Sequence, residues 1–143
     1  MTSDSQHGSQ LRSELLRAGY AETVITPPVG FEIEGPEHAT RRATDVTDDL
    51  LGRVLVLEAG GDRAAIVTLD VWGVSERFTA RVVESVSSAA GVDESLVWIG
   101  VSGNATSPPL WDDGNAAYVQ YAAYVPQQIG GIAGRSEERR VGK

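Results

Sequence analysis

The residues of this chain that could carry chemistry are concentrated where a short apolar run meets a loop of small polar residues. Residues 97–109 read V-W-I-G-V-S-G-N-A-T-S-P-P. The apolar part is typical of a buried strand, and open α/β sheets bind ligands in the loops beyond their strand ends. The sequence therefore predicts a functional edge, which also takes in the end of the preceding strand and a tryptophan after the loop. Its members are Asp70, Ser102, Gly103, Asn104, Ala105, Thr106, Ser107 and Trp111.

None of these residues forms a recognisable catalytic group, so we predict no catalytic residue at this edge. Ser102, Thr106 and Ser107 have no histidine or lysine close to them in sequence, and a serine without an adjacent base is a weak nucleophile. Asp70 has two interpretations: it accepts backbone N–H bonds and caps a loop, or it lines a functional site. Asn104 begins an Asn-Ala-Thr glycosylation sequon, but its side chain is better suited to a turn, where it bonds its own backbone.

A hydrolytic zinc site is not predicted either, because such a site usually needs three protein ligands and an open position for water. The chain has no cysteine and two histidines, His7 and His38, which are far apart in sequence. The paired acids Asp112 and Asp113 are interpreted as solvated loop residues. Trp111 is interpreted as a core or rim residue that could also face a ligand, because it follows the Pro-Pro pair at the end of the loop.

The elements that must position this edge follow from hydrophobic periodicity and turn residues. Ser75 is the expected N-cap of a helix and Gly91 its stop, while Gly60-Gly61 forms a tight turn between two strands. A strand, a helix and a strand then form a right-handed βαβ unit with two parallel strands. The apolar run at 63–72 suggests burial on both faces of the sheet. The predicted strands cover residues 20–26, 53–58, 63–72 and 96–101, and the predicted helices cover 76–90 and 115–129.

The fold class expected from this order is α/β, with a mixed sheet in which a β-hairpin precedes a right-handed βαβ unit and the helices pack on the sheet. The formal charge of −8 argues against a nucleic-acid-binding protein and against a polybasic membrane patch, and no segment is long and apolar enough to span a membrane. The N-terminus lacks the features of a signal peptide, so a cytoplasmic location is the default expectation.

Several segments resemble, in the same order, motifs of the neutral/alkaline (non-lysosomal) ceramidase family. Residues 18–30 read A-G-Y-A-E-T-V-I-T-P-P-V-G and are similar to a family strand that ends in Asp-Ile-Thr-Pro-Pro, with Val24 in place of the aspartate. Residues 45–57 resemble its Val-His-Asp-Pro-Leu element, with Thr47 in place of the histidine and Asp49 in place of the proline. Residues 63–74 resemble its strand that ends in Leu-Asp. The resemblance covers residues 18–133.

The loop after residue 101 resembles the family's His-Thr-His-Ser-Gly-Pro loop, which helps to hold a catalytic zinc. Gly103 and Ala105 stand where the family has its two histidines, and neither residue has a side chain that can bind a metal. The resemblance implies the N-terminal part of a hydrolase that cleaves the N-acyl bond of ceramide-type lipids, here without activity and without zinc. The alternative is a noncatalytic relative that uses the same frame to bind a ligand or as a structural part.

The two ends of the chain are expected to lie outside this domain. Residues 1–17 are expected to form a flexible leader and residues 18–134 the N-terminal part of the ceramidase-like domain. The last nine residues, R-S-E-E-R-R-V-G-K, resemble a translated sequencing adapter, so residues 135–143 are expected to be a disordered, non-native tail. A domain truncated in this way would leave a strand edge open, and we expect the chain to self-associate. The expected partner of the full-length protein is a lipid or another small molecule.

Overall fold

The computed structural model describes residues 16–33, 41–111, 116–135 and 137–140 of the chain. Their secondary structure consists of seven strands, two α-helices and one 3-10 turn at Glu94–Leu96. The helices are α1 (Glu76–Ala90) and α2 (Ala116–Ala133). The strands are β1 (Arg17–Val24), β2 (Glu32–Ile33), β3 (Arg41–Arg42), β4 (Leu51–Ala59), β5 (Asp62–Leu69), β6 (Val97–Val101) and β7 (Glu137–Arg140).

The strands form one mixed sheet in the order β6-β5-β4-β1-β7, and β2 pairs with β3 in a small separate ribbon. Strand β5 is antiparallel to β4 and parallel to β6, so the chain runs through a hairpin and then through a βαβ unit. The hairpin turns at Gly60 and Gly61, whose φ angles of 64° and 92° are those a two-residue turn of this kind requires. The predicted α/β class and the order of its elements are confirmed.

Helix α1 begins and ends at the residues that the sequence predicts. The Ser75 hydroxyl oxygen accepts a hydrogen bond from the backbone N–H of Phe78 at 3.1 Å and so caps the first turn. At the other end, Gly91 adopts a left-handed φ of 64° and its N–H donates to the carbonyl of Ser87. The face between these caps buries Phe78, Val82, Val86 and Ala90.

Helix α2 packs closely on both the sheet and α1, because glycines stand where the backbones meet. A Cβ atom on Gly52 of β4 would overlap Cδ1 of Ile129, and one on Gly130 would lie 3.0 Å from Cβ of Ser85 on α1. The phenol of Tyr121 is buried and donates to the carbonyl oxygen of Ile25, which ties α2 to the end of β1. Burial also raises the pKa of Tyr121 far above its ordinary value, so it stays a neutral donor.

The helices pack against one face of the sheet, which corrects the expected burial of β5 on both faces. Ala65, Val67 and Leu69 are buried, whereas Ile66 is half-buried and Thr68 is exposed on the opposite face. Strand β5 has the apolar composition of a strand buried on both faces, but only one of its faces is buried. An apolar run alone therefore does not show how many faces of a strand are covered.

The ends of the described chain also differ from the expected boundaries. Strand β1 begins at Arg17, the last residue assigned to the leader, and α2 continues past residue 129 to Ala133. The expectation that residues 135–143 take no part in the fold is wrong for Glu137–Arg140, which pairs antiparallel with β1. The physical reason is that the outer edge of β1 offers backbone groups that need partners. The origin of this segment stays a prediction.

Within the described residues, neither helix is long and apolar enough to cross a lipid bilayer.

Replacement of Gly52 by valine tests the close packing of α2 on the sheet. The added side chain would meet Ile129, Ile25 and Leu69, so we expect Gly52→Val to lower the free energy of unfolding by about 1–3 kcal/mol. The matched control is Gly100→Val on β6, where an added Cβ meets no atom within 4 Å. Urea unfolding of both variants in dilute solution measures the difference, and equal stabilities would contradict the packing described here.

Candidate functional site

The predicted functional edge lies where β5 and β6 end side by side. Because the two strands are parallel, Asp70 after β5 and Ser102 after β6 lie at the same end of the sheet. The backbone N–H of Ser102 donates to the carbonyl of Leu69 at 3.0 Å, and that of Gly103 donates to Val71 at 3.1 Å. These bonds hold the loop that follows β6 against the chain that leaves β5.

A cleft of about 760 Å³ lies along this edge. One wall consists of Asp70 and the loop after β6, and the other consists of the chain segment that connects β3 to β4. This segment lies across the strand ends. The residues that line the cleft are Thr26, Pro27, Ile33, Arg41, Arg42, Ala43, Thr44, Asp45, Val46, Thr47, Asp48, Asp49, Leu50, Asp70, Asn104, Thr106 and Pro108.

Asp70 accepts a backbone hydrogen bond, as one of its two interpretations predicts, and it also borders the cleft. Its Oδ2 atom accepts a hydrogen bond from the backbone N–H of Leu51 at 3.2 Å and another from Nη1 of Arg53 at 3.2 Å. Arg53 also lies 3.6 Å from the carboxylate of Glu22. Asp70 therefore fixes the start of β4 against the end of β5, and its half-buried side chain lines the cleft at the same time.

Asn104 forms the turn that the sequence predicts. Its Oδ1 atom accepts hydrogen bonds from the backbone N–H of Thr106 at 2.9 Å and from the Thr106 hydroxyl at 2.7 Å. Gly103, just before it, has a φ of 70°, in the left-handed region where residues other than glycine are strained. Ala105 lies inside this turn. The loop is thus shaped by local hydrogen bonds and by one glycine conformation.

Ser107 is fully buried and holds the loop from inside, which the sequence analysis does not foresee. Its hydroxyl oxygen accepts a hydrogen bond from the backbone N–H of Trp72 at 2.6 Å, and its proton is donated to the carbonyl of Asn104 at 2.7 Å. Both hydrogen-bonding functions of this hydroxyl are used within the protein. Ser107 is therefore a structural residue, and of the expected edge residues only Asp70, Asn104 and Thr106 line the cleft.

Trp111 packs on the backbone of Gly73, where an added Cβ would lie 2.6 Å from the indole ring. It is 39% exposed but does not belong to the lining of the cleft.

The wall of the cleft that faces Asp70 is fixed by a contact that the sequence does not predict. The Thr26 hydroxyl donates to Asp49 at 2.8 Å and accepts from the N–H of Leu50 at 2.8 Å. His38, Asp112 and Asp113 lie outside the described residues.

The described residues do not fit a zinc ion bound in the manner that the family resemblance implies. Among them no three histidine, cysteine, aspartate or glutamate side chains come together as a metal site would need. Gly103 and Ala105 offer no ligand atom, and Asp70 already bonds Arg53 and the backbone of Leu51. A histidine at position 103 would also have to adopt the left-handed backbone of Gly103. That the whole chain binds no zinc stays a prediction.

Replacement of Ser107 by alanine tests its structural role. The variant leaves the buried N–H of Trp72 without an acceptor, so we expect a loss of about 1–3 kcal/mol in the free energy of unfolding. The matched control is Ser102→Ala in the same loop, because Ser102 is exposed and the change should be neutral. Denaturant unfolding of the two variants decides the question, and a neutral Ser107→Ala would show that the loop is held by other contacts.

Comparison of the sequence with protein-family models and with curated proteins gives no match. Comparison of the fold with solved structures gives matches to ceramidases. The neutral ceramidase of Pseudomonas aeruginosa superposes with a TM-score of 0.59 over 86% of this chain and 21% of that chain, at 17% sequence identity. A structure of ceramidase complexed with C2 gives the same TM-score and identity, over 86% of this chain and 20% of that chain.

The chain spans about a fifth of the length of the ceramidase chains that it matches. At 17% identity the likeness concerns the fold, and it extends over nearly all of this chain. The fold formed by the mixed sheet and its helices is therefore similar to that of a segment of neutral ceramidase.

Proposed function

We propose that this chain forms the N-terminal part of a ceramidase-like domain whose strand-end cleft binds an amide-containing lipid or a related small molecule, and that the chain does not carry out zinc-dependent hydrolysis. The observation that carries the proposal is the position of the cleft. It lies at the strand-end edge of a sheet whose fold matches a segment of neutral ceramidase over 86% of the chain. Ligands of open α/β sheets bind at this edge.

Besides six charged residues, the lining of the cleft offers neutral polar groups and apolar surface that suit an amphipathic ligand. Thr47, Asn104 and Thr106 contribute hydroxyl and amide groups, which can bond the amide and hydroxyl groups of a ceramide-type lipid. Ile33 and Leu50 contribute apolar surface to the same cleft. Ligand sites commonly combine an apolar lining with a few polar groups that fix the orientation of the ligand.

The absence of zinc-dependent hydrolysis is supported by the residues at three positions of the family resemblance. Thr47, Gly103 and Ala105 stand where the family has histidines, and none of them can replace a histidine as a zinc ligand. Without a metal ion, a water molecule in the cleft would need a strong base to attack an amide. Asp70 is already engaged, because its carboxylate bonds Arg53 and the backbone N–H of Leu51. The competing proposal is an active hydrolase whose ligands are supplied by other parts of a longer protein.

Metal analysis of the purified chain tests the hydrolytic half of this proposal. After dialysis we expect well under one equivalent of zinc per chain, because the strand-end loop lacks ligand side chains at Gly103 and Ala105. The control is His38→Ala, which should leave this low metal content unchanged. One tightly held zinc per chain, lost in His38→Ala, would contradict the proposal and favour the hydrolase.

Titration of the chain with a short-chain N-acyl sphingosine tests the ligand-binding half. We expect saturable binding that weakens at least about tenfold, or ~1.4 kcal/mol, in Thr47→Trp, because the larger side chain occupies the cleft. The matched control is Thr68→Trp on the exposed face of β5, away from the cleft, which should bind like the unmodified chain. Absence of binding to the unmodified chain, or equal binding by both variants, would contradict the assignment of this cleft.

A further inference from the structure

Among the described strands, β6 is an outermost strand of the sheet, and it lacks the usual protection of an exposed edge. Its sequence V-W-I-G-V has no charged residue and no proline, and both Trp98 (57% exposed) and Val101 (40% exposed) are open to solvent. Proteins normally protect such edges with lysine, proline or a bulge, because an open edge pairs with other strands. The proposal made for this edge does not rest on the function proposed for the cleft.

The backbone groups that β6 turns outward can be identified from its pairing with β5. The N–H of Ser102 donates to Leu69 of β5, and inward and outward groups alternate along a strand. The N–H groups of Trp98 and Gly100 therefore also point towards β5. Those of Ile99 and Val101 point away from the sheet, where no other described strand lies beside β6.

From this arrangement we propose that two copies of the chain pair through β6, antiparallel, about a two-fold axis at Ile99. Ile99 of each copy then exchanges two N–H···O bonds with Ile99 of the other copy, and the N–H of Val101 donates to the carbonyl of Val97. The N–H of Val97 is not needed, because it already donates to Glu94. An interface in which the same surface serves both copies is the usual form of a two-fold dimer.

The side chains of β6 are complementary to themselves in this register. Trp98 of one copy lies directly opposite Gly100 of the other, in the closely spaced type of pair. Both residues are on the face that the helices leave open, since Trp98 is in register with the half-buried Ile66. An added Cβ on Gly100 meets no atom within 4 Å, so there is room above this glycine for the indole ring. An aromatic ring over a glycine is a favourable cross-strand pair.

The charges near β6 favour the antiparallel arrangement of two copies. Asp93 and Glu94 precede the strand, and residues 102–104 that follow it are uncharged. Antiparallel pairing sets the acids of one copy beside this uncharged loop of the other, whereas parallel pairing would bring like charges together. The contact is small, since each copy contributes a strand of five residues, and stable interfaces bury about 1,200–2,000 Å². The dimer is therefore reversible and depends on concentration.

Sedimentation velocity of the 143-residue chain over a range of concentrations tests this proposal. We expect a reversible monomer–dimer equilibrium that is lost in Ile99→Pro, because proline removes an outward N–H without breaking a bond to β5. Trp98→Lys should also abolish the dimer, by placing a charge at the edge. The matched control is Val24→Lys on β1, which adds the same charge to an exposed strand residue away from β6 and should leave the dimer intact.

Thermal unfolding of each variant shows whether the monomer is still folded. If Ile99→Pro does not fold, Trp98→Lys against Val24→Lys decides the outcome. A monomer at every concentration would overturn the proposal and assign this edge to another polypeptide segment. A dimer that persists in Trp98→Lys, or in a folded Ile99→Pro, would place the contact elsewhere on the surface.

Discussion

The parallel pairing of β5 with β6 is the constraint on which the arrangement of this molecule depends. Two consecutive parallel strands need a crossover, and α1 provides it with caps at Ser75 and Gly91 that set its length. The pairing brings Asp70 and the loop after residue 101 to the same end of the sheet. It also leaves β6 at the outer end of the sheet, with outward backbone groups that no described strand pairs. The cleft and the proposed dimer contact therefore both follow from one connection.

The features that sequence analysis predicts correctly are those fixed by residues close together in the chain. The bounds of α1, the Gly60-Gly61 turn and the turn at Asn104 each rest on side-chain or backbone preferences within a few residues. A topological rule for βαβ units also predicts that their two strands end side by side, and it therefore predicts that Asp70 lies beside the loop after β6. One of the two walls of the cleft could therefore be predicted from the sequence.

The features that sequence analysis misses depend on contacts between distant residues. Thr26 and Asp49 fix the second wall of the cleft although 23 positions separate them, and no local pattern marks this pair. The buried hydroxyl of Ser107 accepts its hydrogen bond from Trp72, which is 35 positions away. The open face of β5 is another case, because hydrophobic composition describes the strand and not the layer that covers it. Pairing of β7 with β1 likewise reflects a free edge rather than the composition of Glu137–Arg140.

The strand-end loop is shaped by contacts within the protein. In a protein site built around zinc, ligand bonds supply much of the free energy that orders the surrounding chain. Here the corresponding order comes from three contacts within the protein: the turn at Asn104, the buried hydroxyl of Ser107, and the bond from Gly103 to Val71. Introduction of a histidine at position 103 would therefore act against an existing conformation, since a non-glycine residue in the left-handed region costs about 1–2 kcal/mol.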